Sequence, residues 1–235
     1  MHDARPLLIL WDIDHTLLSI TGVSREIYAR AFEHVTGQPL VHLADMAGRT
    51  EQAILSETLS LNGVEPGHSF VAFYAALGDA ARALEGRMRT QGKVLPGAQE
   101  VLAMFAADGR VQSVVTGNIR SIAVTKLEAF GLDDFVDFEV GGYGDDGSDR
   151  AVLVRLAVDR AEAKYGYNFD AEHTIVIGDT PHDVKGALDN GALAVGVATG
   201  SSDMNELADA GAHLVLPDLL DSSQLYGLVQ SRRSR

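Results

Sequence analysis

The chain has 235 residues, 46% of them hydrophobic and 22% charged, an ordinary globular balance that excludes a disordered polypeptide and admits one large domain or a domain with an insertion. A formal net charge of −14 disfavours a nucleic-acid backbone or an anionic membrane as partner, because both repel it at long range. With no cysteine, disulfides and thiolate metal sites are excluded, and an anionic substrate needs local cations or a metal.

The chain opens on a polar stretch with His2, Asp3 and Arg5, and the apolar run after it meets Asp12 before any cleavage site for a secretory leader. A soluble, cytoplasmic monomer or homodimer is expected. Residues 7–11, Leu-Leu-Ile-Leu-Trp, read as a buried strand of a parallel sheet. Side chains alternate along a strand, so Asp12 and Asp14 leave its carboxyl end on one side, at the edge where open α/β sheets build their sites. Asp12 is placed to attack as a nucleophile, Asp14 to shuttle a proton, and Thr16 to fix the turn through its hydroxyl. The same residues also suit a plain turn after a core strand.

Helical spacing follows. Ser24 caps a segment with Ile27, Ala31, Phe32 and Val35 on one face and Gly37 as its stop. A second helix starts at Thr50, carries Ala53, Ile54, Leu55 and Leu59, and ends at Asn62-Gly63. A third runs from about Ser69 towards Gly92, weakened by Gly78 and Gly86. Residues 19–93 hold no convincing strand, so they are expected to form a helical insertion packed over the strand ends. Arg49, before a helix N-terminus, is a candidate substrate contact, whereas His42 reads as solvated surface.

From Leu95-Pro96-Gly97 helix and strand alternate: a helix through Val101, Leu102 and Phe105, a strand over residues 111–115, and Thr116-Gly117-Asn118 before a helix over 119–130. A hydroxyl and exposed amides at that strand end suit a phosphate oxygen. Residues 135–140 read as a further strand, followed by a Gly- and Asp-rich loop over 141–148. Arg150 then opens a helix, where the macrodipole disfavours a cation by up to about 1 kcal/mol, so its position invites a functional reading. Lys126 is the competing cation, and its setting between Ile122, Leu127 and Phe130 reads as a side chain lying along the surface.

A strand over 174–177 ends in Gly178-Asp179-Thr180-Pro181-His182-Asp183, where Thr180 is an N-cap and Pro181 the first helical residue. Asp179 and Asp183, with Asp12 and a carbonyl from Asp14, supply the hard oxygen ligands that Mg²⁺ prefers. A strand over 193–197, the Thr199-Gly200-Ser201 loop, a helix over 204–208, a strand over 213–216 and a frayed basic tail over 231–235 complete the chain.

In order and setting, Asp12-Ile13-Asp14-His15-Thr16, Thr116-Gly117-Asn118, Arg150 and Gly178-Asp179-Thr180-Pro181-His182-Asp183 resemble the motifs of the haloacid dehalogenase-like hydrolase superfamily. The resemblance implies an α/β fold. Residues 1–18 and 94–235 would form a Rossmann-like, doubly wound parallel-sheet core, and residues 19–93 an inserted α-helical cap. It implies that Asp12 forms an aspartyl-phosphate, that Asp14 protonates the leaving group and then activates water, and that Thr116 holds phosphate; Gly117, Asn118, Arg150 and Arg49 join the expected substrate-binding residues by their positions at strand and helix ends. Asp12, Asp14, Asp179 and Asp183 would hold Mg²⁺, and a carboxylate at Asp14 points to the phosphatase branch. Two residues depart from the pattern: His15 stands where glycine is frequent and Arg150 where lysine is usual. The expected activity is hydrolysis of a small phosphorylated metabolite, phosphoglycolate among the candidates. A β-phosphoglucomutase-like transfer is the alternative, and a receiver-like signalling domain is disfavoured by the Asp-x-Asp spacing and the insertion.

Overall fold

The computed structural model describes residues 6–64 and 69–233. The leader-free stretch expected at residues 1–5 and the last two residues of the tail therefore lie outside the described residues. In chain order the elements are β1 (Leu8–Trp11), β2 (Leu18–Ser19), α1 (Val23–Thr36), α2 (Glu51–Leu61), α3 (Phe70–Ala83), α4 (Glu85–Gln91) and β3 (Lys93–Val94). There follow α5 (Ala98–Ala107), β4 (Val111–Val114), α6 (Arg120–Phe130), α7 (Arg150–Tyr165), β5 (Thr174–Gly178) and α8 (Pro181–Leu188). The chain closes with β6 (Leu193–Val197), α9 (Met204–Asp209), β7 (Leu214–Leu216) and α10 (Ser223–Arg233).

Five strands form one parallel sheet in the order β4-β1-β5-β6-β7, with Trp11 opposite Val114 on one side and Ile177 on the other. Alternate residues feed two cores. Ile9, Trp11, Ile175 and Val195 pack with α5, α6 and α10, whereas Leu8, Leu10, Val176 and Ala194 pack with Leu153, Val184 and Leu207 of α7, α8 and α9. Burial on both faces explains the unbroken apolar runs. This is the doubly wound α/β core, with the helices between β2 and β3 forming the inserted cap. From β1 the chain passes to β4 on one side, and from β4 it crosses to β5 on the other, which makes the carboxyl end of β1 the crevice of the sheet. Among the described residues no helix is long and apolar enough to cross a membrane.

Five details correct the sequence reading. The insertion is bounded by an antiparallel ribbon, Leu18 opposite Val94 and Ser19 opposite Lys93, too short to leave a periodic signal. α1 begins at Val23 after Gly22 (φ 79°) without a side-chain cap, so Ser24 sits inside the first turn. The long third helix divides at Leu84 into α3 and α4, while Gly78 stays helical: a Cβ there would meet Ser121 Oγ at 2.6 Å, so this glycine lets α3 approach α6. Residues 135–140 are not a strand. Their backbone lies along β4 through Asp137 N–H to Gln112 O (2.8 Å) and Ser113 Oγ to Asp137 O (2.6 Å) without forming a ladder, and the Asp137 carboxylate is held by Lys164 and Tyr165. At the end of the chain, Ser231 to Arg233 continue α10 rather than fraying.

Candidate active site

Asp12 extends β1 by one residue, its N–H donating to Ile177 O at 2.8 Å. The chain then turns: Ile13 O accepts the N–H groups of Leu17 (2.9 Å) and Leu18 (3.1 Å), and His15 adopts φ 61°. That left-handed conformation is the one glycine takes most easily, which gives the His15 departure a physical meaning. Asp12 and Asp14 both face a cavity of about 650 Å³, which Thr116, Gly117, Asn118, Lys126, Arg150, Asp179 and Arg49 also line. His42 is exposed and is not among the lining residues.

β5 delivers Asp179 and the first turn of α8 delivers Asp183. Thr180 caps α8 in a reciprocal box with Asp183, whose Oδ2 accepts the Thr180 N–H (3.1 Å) and hydroxyl (2.7 Å). Thr16, expected to fix its own turn, reaches across to donate to Asp179 Oδ1 at 3.3 Å. Asp12, Asp179 and Asp183 are all buried, and one ligand oxygen from each lies within 4.8 Å of the others. Burial together with Asp183 pushes Asp179 up to about 7, and burial first, then Asp183, raises Asp12 well above the usual carboxylate range.

Three oxygen ligands short of positive charge fit a hard divalent cation such as Mg²⁺. Asp183 Oδ1 is buried without a hydrogen-bond partner, and a Cβ on Gly200 would fall 1.8 Å from Asp179 Oδ2, so a side chain there would crowd this group. Asp14 is not a member of this carboxylate group; its carboxylate points instead to Lys126 and Asn118.

Arg150 opens α7 behind the Asp149 cap, as expected, and is 7% exposed. Its Nη1 donates to Val115 O (3.0 Å) and Asp12 Oδ1 (3.4 Å), and Nε lies 3.2 Å from Asp183 Oδ1. The surface reading of Lys126 is corrected. Only 3% exposed, it donates to both Asp14 oxygens and to Asn118 Oδ1 at 2.8 Å. The signal was present, because Ile119, Ile122, Ala123 and Lys126 fall at i, i+3, i+4 and i+7 on one apolar stripe of α6.

Thr116 Oγ1 accepts from the side-chain amide of Asn118 at 2.9 Å, leaving its own hydrogen for a ligand. Gly117 O accepts the N–H of Glu51 at 2.8 Å, joining α2 of the cap to this loop. A Cβ on Gly117 would strike Arg49 O at 2.0 Å, and one on Gly144 would strike Gly117 O at 1.8 Å, so three backbone segments meet where only glycine fits. The Arg49 guanidinium donates to Glu57 (2.6 Å) and to Asp45 O (3.1 Å) at the cavity wall. Glu51, not anticipated from sequence, is 2% exposed and lines the same cavity. It too lies on an apolar stripe, with Ile54, Leu55 and Thr58.

The family model described as haloacid dehalogenase-like hydrolase matches residues 9–188. A phosphoglycolate phosphatase of Caulobacter vibrioides is 26% identical over 233 residues, 94% of this chain and 91% of its own. A probable phosphatase, IndB, of Dickeya dadantii is 30% identical over 126 residues, about half of each chain (53% and 52%). Among solved structures, a hydrolase from Pseudomonas syringae superposes with a TM-score of 0.67 at 24% identity, covering 95% of this chain and 98% of that one.

Proposed function

The chain belongs to the haloacid dehalogenase-like hydrolase family, and on that premise we propose that it is a Mg²⁺-dependent phosphatase acting on small phosphate monoesters through an aspartyl-phosphate at Asp12. The observation that carries this reading is the pairing at the end of β1. Asp12 stands in a buried carboxylate group that needs a cation, while Asp14, two residues on, stands beside Lys126 facing the same cavity.

In this scheme an Asp12 oxygen attacks phosphorus and the ester oxygen departs, taking a proton from Asp14. Asp14 then removes a proton from water, whose oxygen displaces Asp12 and releases inorganic phosphate. Held by Asp12, the Asp14 carbonyl, Asp179 and Asp183, Mg²⁺ would supply positive charge against the phosphoryl oxygens. The Thr116 hydroxyl and the amides of Gly117 and Asn118 hold those oxygens, Lys126 adds charge from the cap-facing side, and Arg150 orients Asp12 from behind. Arg49 forms part of the wall around the organic group. The cap excludes bulk water.

Relatives named phosphoglycolate phosphatase make phosphoglycolate one of the first compounds to assay. The test is phosphate release from a panel of phosphorylated metabolites with Mg²⁺, alongside mass spectrometry of quenched enzyme for phosphoryl on Asp12. Asp12→Asn should abolish both signals. Full activity after exhaustive chelation, or a wild-type rate in Asp12→Asn, overturns the reading, and isomerisation of a sugar phosphate without phosphate release assigns a mutase instead.

A further inference from the structure

Glu51 is a buried carboxylate that the proposed reaction does not use. As the first residue of α2 it is fixed by its own N–H, which bonds Gly117 O at 2.8 Å, so its side chain stands at a set position relative to the phosphate-binding loop. Among the described residues the one hydrogen bond to its carboxylate comes from the Tyr28 hydroxyl, on Oε2 at 3.0 Å. Burial pushes the Tyr28 phenol well above its usual value, so it remains a donor. Among the described residues no group donates to Oε1. Lys126 attracts Glu51 at longer range, but its ammonium is committed to Asp14 and Asn118. A carboxylate so short of donors is costly to bury, and burial pushes this one up to about 7. It lines the cavity, which is where the missing donor can come from.

We propose that Glu51 sets specificity: its unpartnered oxygen accepts a hydrogen bond from a hydroxyl on the organic part of the phosphate monoester, so that polyol or sugar monophosphates are preferred. This assignment rests on the phosphatase reading above. A leaving group bearing a carboxylate would set like charges against Glu51 and Asp45, which lines the same cavity. The outer cations of the cavity offer that carboxylate little relief, since the Arg49 guanidinium already holds Glu57 and Asp45 O, and Arg25 donates to Val41 O at 3.2 Å. A hydroxylated group also matches Ser19, Thr21 and Ser24, whose hydroxyls line the cavity and can donate or accept.

The experiment compares kcat/KM for glycerol phosphate, ethyl phosphate, phosphoglycolate and ethanolamine phosphate, with Mg²⁺, in wild type, Glu51→Gln and Glu51→Ala. Wild type should favour glycerol phosphate over ethyl phosphate by about tenfold or more, the worth of one hydrogen bond to a charged group. That ratio should fall in Glu51→Gln, which keeps a neutral acceptor, and approach unity in Glu51→Ala. Protection against thermal unfolding by the same esters gives a second readout that needs no turnover.

If wild type releases phosphate from none of the esters, the phosphatase reading fails, and the protection ratio still decides the role of Glu51. Equal use and equal protection by glycerol and ethyl phosphates overturns the assignment. So does a preference for phosphoglycolate or ethanolamine phosphate, or an unchanged ratio in a folded Glu51 variant. Should Glu51→Ala not fold, Glu51→Gln and the wild-type ratio carry the decision.

Discussion

Lys126 grips Asp14 with its ammonium at 2.7 Å from one carboxylate oxygen and 2.6 Å from the other. Burial pushes the Asp14 carboxyl upward, but Lys126 and the Asn118 amide outweigh it and hold Asp14 below the usual carboxylate range. In the proposed reaction an incoming phosphate dianion would compete for the same ammonium. On the proposed reading, a phosphate that drew Lys126 away would strip Asp14 of its counter-charge and raise its affinity for a proton, so that substrate binding would prepare the acid.

Lys126→Met should therefore raise KM and lower kcat together, with a loss in kcat/KM of ~10²-fold or more. Asp14→Asn should bind substrate and lose ~10²–10⁴-fold in kcat alone. Steady-state kinetics on one ester separates these outcomes, and a Lys126→Met enzyme with wild-type constants would remove Lys126 from the site.

The carboxylates of the proposed metal site set a pH dependence. Asp179, raised from 3.8 to about 7, is protonated in the folded metal-free protein over a range where the unfolded chain has lost that proton. Stability of the metal-free protein should consequently fall as pH rises from about 4 to 7. Added Mg²⁺ should restore it most at pH 7 and above, by the mass-action stabilisation of a ligand that binds the folded state. Melting curves in EDTA and in Mg²⁺ across that range check this; a Mg²⁺ effect independent of pH would contradict it.

Arg150 supplies positive charge to the same carboxylates, so Arg150→Ala should melt earlier than wild type in EDTA and recover part of the difference in Mg²⁺. Removal of one partner from a buried charge group costs roughly 3–5 kcal/mol. A melting temperature in EDTA equal to that of wild type would show that the guanidinium does not compensate Asp12 and Asp183.

Glu51 gives a stability test separate from its proposed role in specificity. Its carboxyl is raised from 4.5 to about 7, so the folded state carries an ionised, buried group only as pH climbs through that window. The penalty is absent below about 4.5 and complete above about 7. Glu51→Gln should thus match wild type near pH 4.5 and exceed it at pH 8, by on the order of 2–3 kcal/mol. Denaturant melts at the two pH values measure the difference directly.

His15 holds φ 61° where glycine pays no steric penalty, and the hydrogen bond it accepts from the Thr199 hydroxyl uses its backbone carbonyl. His15→Gly should keep that bond and relieve ~1–2 kcal/mol of left-handed strain, less the ~0.5–1 kcal/mol of chain entropy that glycine loses. A net gain of about 0.5–1 kcal/mol is expected, read as a rise of a few degrees in melting temperature.

The parallel sheet was legible because strands buried on both faces leave continuous apolar runs, as at residues 7–11 and 193–197. Asp12, Asp14, Asp179 and Asp183 stood out because carboxylates interrupt or follow such runs. Lys126 and Glu51 were harder to find for the opposite reason: each occupies one turn of an otherwise apolar helix face, where a charged residue passes for the edge of the stripe. The structure shows both to be buried, with their charged ends at the cavity. Residues 135–140 carried strand-like composition, yet they bond to β4 only around Asp137, a pairing that composition does not reveal. The ribbon of β2 and β3 joins residues some 75 positions apart, a pairing that no local window contains.

That ribbon fixes how the helices between its strands are attached to the sheet. The outgoing and returning chains are bonded to each other, Leu18 to Val94 and Ser19 to Lys93, and Leu95 N–H donates to Leu17 O at 2.9 Å just beside them. Bonded to each other, they form one strap between the sheet and the helices, and Glu51 N–H to Gly117 O ties the same helices to the sheet edge at a second point.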